Sequence, residues 1–175
     1  MKKQKSKKII LAVVCIIVVI AAVIAGVNYM MLQSLIRYGN SYDKIEFENQ
    51  LVPEKDENGN WYFTTDGDFK VMHLTDIHIG GGFMSKDVDE KALNAVATMV
   101  TKEKPDLVIF GGDNVSSGFN KKRNNEFAML MEKLGVYWAA VLGNHEGEGL
   151  FAVSREENVD IFSSYDYCLM RQGKE

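Results

Sequence analysis

Asp76 and His78 in TDIHIG, Asp113 in GGDN and Asn144 in GNHE are residues whose types and spacing suit chemistry. Each stretch follows an apolar run: VMHL, DLVIF and VYWAAVL. Residues two apart on a strand project to the same side, so Asp76 and His78 at a strand's end are expected to aim a carboxylate and an imidazole at one spot. Asp113 comes 37 residues after Asp76, and Asn144 comes 31 after Asp113. A strand–helix–strand unit takes about 30 residues. Each interval therefore fits one repeat, and all four groups reach the carboxyl edge of neighbouring parallel strands, where open α/β sheets bind their ligands. Two carboxylates, an imidazole and an amide form a mixed oxygen and nitrogen donor set that suits Mn, Fe or Zn, with no thiol nearby. An Asp or Asn after a strand is, taken alone, more often a turn or helix cap. The recurrence at repeat-length intervals is what singles these residues out.

The elements that must position them can be read from hydrophobic period and punctuation. FKVMHLTD is a strand. DVDEKALNAVATMVTKEK is a helix with an apolar stripe of Val88, Ala92, Leu93, Ala95, Val96, Met99 and Val100. Asp87 is its expected cap, and Glu90 three residues on completes a capping-box-like pair. Pro105 stops that helix, and DLVIFGGD is the next strand. A second helix over Asn124–Leu134 buries Phe127, Leu130, Met131 and Leu134, and Gly135 closes it. VYWAAVLGN lacks alternation, as expected of a strand covered on both faces. A last helix runs from Ser154 to about Cys168. Upstream, Asn58-Gly59 has the chemistry of a hairpin turn, joining an expected strand at 45–52, with Pro53 at its end, to another at 61–64. The order β-α-β-α-β-α predicts an α/β fold with a largely parallel sheet clothed by helices.

The first eight residues, MKKQKSKK, carry five lysines, and Ile9–Val27 follows as nineteen residues without a charge. At about 1.5 Å per residue this run spans roughly the ~30 Å hydrocarbon core of a bilayer. The expected organisation is a cytoplasmic basic tip at 1–8, a transmembrane anchor at 9–27, a connector at 28–42 and a folded domain at 43–175, with the lysines inside and the domain outside. A cleaved signal peptide competes, with Val23 and Ala25 as small residues before a cut, but its apolar region usually runs only about 7–15 residues. Beyond Lys8 the balance is 15 basic against 24 acidic residues, a net of −9. Such a domain is poorly suited to gripping nucleic acid through its phosphates. Cys15 lies in the apolar run and Cys168 near the end, so no disulfide framework is expected.

TDIHIG, GGDN and GNHE, in that order and spacing, resemble the first three motifs of the calcineurin-like metallophosphoesterases over about Lys70–Glu148. The resemblance implies a metallophosphoesterase β-sandwich flanked by helices, of which 43–175 supplies the N-terminal half, and a phosphoester substrate. It implies two divalent metal ions: Asp76 and His78 on the first, Asp113 bridging both, and Asn144 on the second. His145 then faces the substrate and helps the leaving oxygen depart. The family pattern continues with a later histidine and a Gly-His-x-His motif, whereas His73, His78 and His145 are this chain's three histidines. The expectation is therefore an N-terminal part of a longer enzyme, poorly active as it stands, with one sheet face uncovered. A membrane-tethered binding or scaffold protein that keeps the fold is the alternative. A dinucleotide-binding domain is excluded by the lack of G-x-G-x-x-G after the first strand of the repeat. Gly80–Phe83 reads either as backbone able to approach a phosphate or as a flexible loop.

Overall fold

A helix of 38 residues, α1 (Lys2–Gly39), begins the computed structural model, which describes residues 2–39, 41–82, 85–116, 118, 120–149 and 151–173. Its segment Lys7–Gly39 is long and apolar enough to cross a membrane, and none of its most apolar window is buried by the rest of the chain. The expected connector at 28–42 is largely this same helix, continuing to Gly39. The continuation has a packing cause. Leu35 is buried in the core, Ser34 Oγ donates to Glu90 Oε1 at 3.3 Å, and just beyond the helix Tyr42 OH donates to Asn94 Oδ1 at 3.2 Å. The apolar helix thus runs unbroken into its own docking site on the domain.

No strand forms over 45–52. The observed hairpin pairs β1 (Glu54–Lys55) with β2 (Trp61–Tyr62), shorter than expected and displaced beyond Pro53. Its turn is organised by Asp56, whose Oδ1 accepts from the backbone of Asn58 and Asn60 at 2.9 and 2.7 Å, while Gly59 takes the positive φ of 76°. Upstream, Ile45 is instead fastened to the domain through its N–H on Leu134 O, at 3.0 Å.

The parallel sheet is as expected: β3 (Val71–Leu74), β4 (Leu107–Phe110) and β5 (Trp138–Ala140) lie in the order β3-β4-β5. The helices α2 (Lys86–Glu103) and α3 (Lys121–Leu134) connect them, and α4 (Arg155–Ser163) follows. Register sets the two faces. Met72, Val108 and Trp138 align on one, and Leu74, Phe110 and Ala140 continue it. There Phe110, Phe127, Trp138 and Phe162 form an aromatic cluster with ring centroids 4.7–6.0 Å apart, within the range where edge-to-face contacts add to area burial. On the opposite face Val71 and His73 are exposed and Leu107, Ile109 and Ala139 only half-buried.

Two helix details differ from the sequence reading. Ser85, not Asp87, occupies the N-cap position of α2, and its hydroxyl makes no bond to the helix backbone but donates to Asp89 Oδ2 at 2.8 Å; Glu90 instead pairs with Lys86 at 3.1 Å. The buried stripe of α2 is Asp89, Leu93, Val96, Ala97 and Val100, leaving Val88, Ala95 and Met99 exposed. A buried carboxylate at Asp89 shifts the stripe because it serves the loop before the helix. α3 starts at Lys121, three residues before the expected Asn124, and α4 ends at Ser163, before the expected Cys168.

Candidate metal centre

β3, β4 and β5 end side by side, and the loops leaving them carry the predicted ligands. Asp76 and His78 are not on an extended strand, however: β3 stops at Leu74, and both residues take left-handed backbone, φ 57° and 53°. Asp113 does the same at φ 52°, after Gly112 at φ 104°. The loops are zipped together by Asp76 N on Gly112 O (3.1 Å), His78 N on Asp113 O (3.0 Å) and Ile79 N on Asn114 O (2.9 Å). Parallel pairing then resumes briefly at Ile79 and Val115. Left-handed conformation is costly for residues with a Cβ, and this inter-loop ladder is what offsets it. The convergence of Asp76 and His78 therefore comes from backbone reversal, not from strand alternation.

His78, Asp113 and His145 each offer a ligand atom, and these atoms lie within 4.8 Å of one another. The His78 and His145 rings are 5.0 Å apart, centroid to centroid. Asp76 stands at the margin, its Oδ1 3.5 Å from His78 Nε2. The Thr75 hydroxyl donates to Asp76 Oδ2 at 2.6 Å and holds that carboxyl below the usual carboxylate range. Asn144 is exposed and is tied to the cluster through Glu148, which accepts from Asn144 Nδ2 at 3.2 Å and faces His145 Nδ1 at 3.1 Å. With its amide nitrogen so engaged, Asn144 keeps Oδ1 as a donor to a cation, an assignment made from the hydrogen-bond network. His145, held at Nδ1 by Glu148, has Nε2 left for a bound group. Oxygen and nitrogen donors without a thiolate fit a divalent transition ion, and the side chains of Asp76, His78 and His145 are open to solvent.

Close backbone approach sets the position of Asp113. Its Oδ1 accepts from His145 N at 3.0 Å, and a methyl group on Gly143 would overlap that same oxygen. Arg155, at the start of α4, donates to Leu142 O and Gly143 O at 2.8 and 2.9 Å and braces the loop from outside. Two of the glycines after His78 have their amides engaged within the chain. Gly80 N donates to Asp89 Oδ1 at 2.9 Å and Gly81 N to His78 O at 3.0 Å; Phe83 lies outside the described residues. His73 remains on the opposite sheet face and plays no part in the cluster. Sequence reading missed Thr75, Glu146, Glu148 and Arg155. Thr75 and Glu146 stand inside the quoted motifs, but nothing in their types alone marks them.

Comparison with known proteins follows the same residues. A model of the calcineurin-like phosphoesterase family matches residues 69–174. Among curated proteins, the chain is similar to "probable inactive purple acid phosphatase 14" of Arabidopsis thaliana, 35% identical over 102 residues, covering 49% of this chain and 25% of that protein. It is similar also to "probable inactive purple acid phosphatase 28" of the same plant, 31% identical over 124 residues, covering 61% of this chain and 30% of that protein. Phosphatase DCR2 of Saccharomyces cerevisiae is 32% identical over 124 residues, covering 62% of this chain and 21% of that protein. The matches thus span between a fifth and a third of the length of these curated relatives.

Proposed function

The chain belongs to the calcineurin-like phosphoesterase family, and from that premise we propose metal-dependent hydrolysis of phosphate esters by a domain tethered outside a membrane through α1. The observation that carries this reading is the meeting of His78, Asp113 and His145, with ligand atoms within 4.8 Å. Asp76, His78, Asp113 and Asn144 are the residues that would hold divalent cations, and Mn, Fe and Zn all suit these donors. Cations bound there supply Lewis acidity and acidify water to near-neutral pKa.

The remaining chemistry belongs to the chain. Thr75 keeps Asp76 in its anionic form and fixed in direction. His145, held at Nδ1 by Glu148, presents Nε2 to the phosphoester and gives a proton to the departing oxygen, a role worth about 10²–10⁴ in rate. The exposed edges of Asp76, His78 and His145 leave the site open to a phosphomonoester or diester. The lysine-rich tip at 1–8 stays in the cytoplasm, the span at 9–27 crosses, and 43–175 lies outside. A secreted domain, freed by signal cleavage, is the alternative placement.

The second reading is a tethered binding or scaffold protein. It is favoured by relatives whose names call them probably inactive. The full chain in detergent, loaded with Mn²⁺ and given p-nitrophenyl phosphate and its bis-ester, separates the two. Slow turnover that chelator and Asp113→Ala abolish is the expected result. Bound Mn²⁺ without turnover selects the scaffold, and failure to bind any cation overturns the metal reading.

A further inference from the structure

We infer that Glu146 is the positioning residue of this centre, setting where Asp113 stands and thereby how tightly a cation is held. The inference rests on the metal reading above and concerns a residue that never meets the cation itself. Glu146 is fully buried, at 0% exposure. Its carboxylate is closed off from solvent, and the partners it has among the described residues are amides. Oε1 accepts from Asn114 N at 2.6 Å and Asn114 Nδ2 at 3.2 Å, while Oε2 accepts from Asp113 N at 3.1 Å. The residue's own carbonyl accepts from Asn120 Nδ2 at 2.8 Å and Asn158 Nδ2 at 3.3 Å. Asn120 Oδ1 in turn accepts from Val153 N at 2.9 Å. Buried amides from the starts of α3 and α4 therefore clamp one end of Glu146, and the other end clamps the loop after β4.

The bonding is reciprocal. The Asp113 carboxylate takes the amide of His145, and the Glu146 carboxylate takes the amides of Asp113 and Asn114. Asp113 sits at φ 52°, a conformation that persists only where surroundings over-determine it. Three N–H groups converge on two oxygens, so the residue must accept at both. A glutamine there would turn an NH₂ towards an N–H donor and leave a buried amide unpaired. A purely structural acid would hold the fold together without controlling the cation; Glu146 instead acts on the backbone of the bridging ligand, where small displacements matter most.

The test compares the full chain with Glu146→Gln, Glu146→Asp and, as a stability control far from the loops, Leu130→Ala. Mn²⁺ affinity is read from the spin-resonance signal of free Mn²⁺, alongside thermal melting and amide hydrogen exchange of the segment bearing Asp113 and Asn114. Glu146→Gln should weaken Mn²⁺ binding by about 10–100-fold and speed exchange in that segment. Glu146→Asp keeps both acceptors but is one methylene short, and should lose about 3–10-fold. Leu130→Ala should melt earlier yet bind Mn²⁺ within about twofold of the unaltered chain. Folded Glu146→Gln with unaltered Mn²⁺ affinity overturns the role assigned to Glu146 alone. Should that variant fail to fold, unaltered affinity in Glu146→Asp overturns it in the same way. An unaltered chain that takes up no Mn²⁺ overturns both this inference and the metal reading beneath it.

Discussion

Glu126 lies on α3 with only 6% of its surface exposed, and neither carboxylate oxygen has a hydrogen-bond partner among the described residues. Burial pushes its pKa from 4.5 up to about 8, against the opposing pull of Arg123 and Lys122 on the same helix and with a small contribution from Asp89 on α2. Between those values the folded chain holds a proton that the unfolded chain has released. The contribution of Glu126 to stability is therefore largest below about pH 4.5 and is lost as pH rises through the folded value. At about 1.4 kcal/mol for each tenfold change in proton affinity, the gap sets an upper bound of about 5 kcal/mol. Local relaxation and water penetration around a buried charge reduce this to about 2–3 kcal/mol. Glu126→Gln removes the titration and keeps the shape, so the difference in melting temperature between variant and parent isolates this group. At about 3 °C per kcal/mol for a domain of this size, that difference should grow in the variant's favour by roughly 6–9 °C between about pH 5 and pH 8.5. Thermal melts at half-unit pH steps, followed by circular dichroism, measure it. A difference that stays constant across the range rules out a proton held by Glu126, because an unpaired buried amide costs the same at every pH.

Gly143→Ala should abolish tight Mn²⁺ binding, by about 100-fold or more, and cost about 1–3 kcal/mol of stability. Its added methyl would overlap Asp113 Oδ1 and approach Asp113 N at 2.6 Å. Calorimetric titration with Mn²⁺ beside a melting curve checks both. His145→Gln at saturating Mn²⁺ should lower kcat by about 10²–10⁴ with Mn²⁺ affinity and KM little changed; an equal loss of affinity would make His145 a ligand beside His78 and Asp113. The anchor predicts that the chain stays with membranes through alkaline carbonate extraction, and that the purified protein retains its N-terminal lysines. A mature N-terminus near Gly26 would establish cleavage instead.

The parallel sheet was legible because three apolar runs, each ending in Asp or Asn at repeat-length intervals, leave little freedom in how the chain is laid out. The cap of α2 was not, because Asp87 and Ser85 are both good cap residues and the choice fell to Asp89, which is turned inward to hold Gly80 N. That same acid explains why the buried stripe ran through 89, 93, 96, 97 and 100, where hydrophobic pattern alone favours Val88 and Met99. The strand expected at 45–52 failed for a related reason. Ile45 donates its backbone N–H to Leu134 O at the end of α3, and among the described residues no strand pairs with this segment.

At the site itself, the residue types were readable and the backbone was not. Asp76, His78 and Asp113 all adopt φ near +55°, a region uncommon for any residue with a Cβ, although Asp and His enter it more often than most, so their types alone do not mark it. Such conformations cost of order 1–3 kcal/mol each, so a folded domain has to hold them from outside. The inter-loop hydrogen bonds from Asp76, His78 and Ile79 do part of this, and the buried carboxylate of Glu146 does the part nearest the bridging ligand. Sequence spacing can announce that four donors will arrive at one sheet edge. Only the positions of the amides reveal that their aim depends on a further acid, the residue directly after His145, whose carboxylate accepts from the backbone of Asp113 and Asn114 and from the Asn114 side chain.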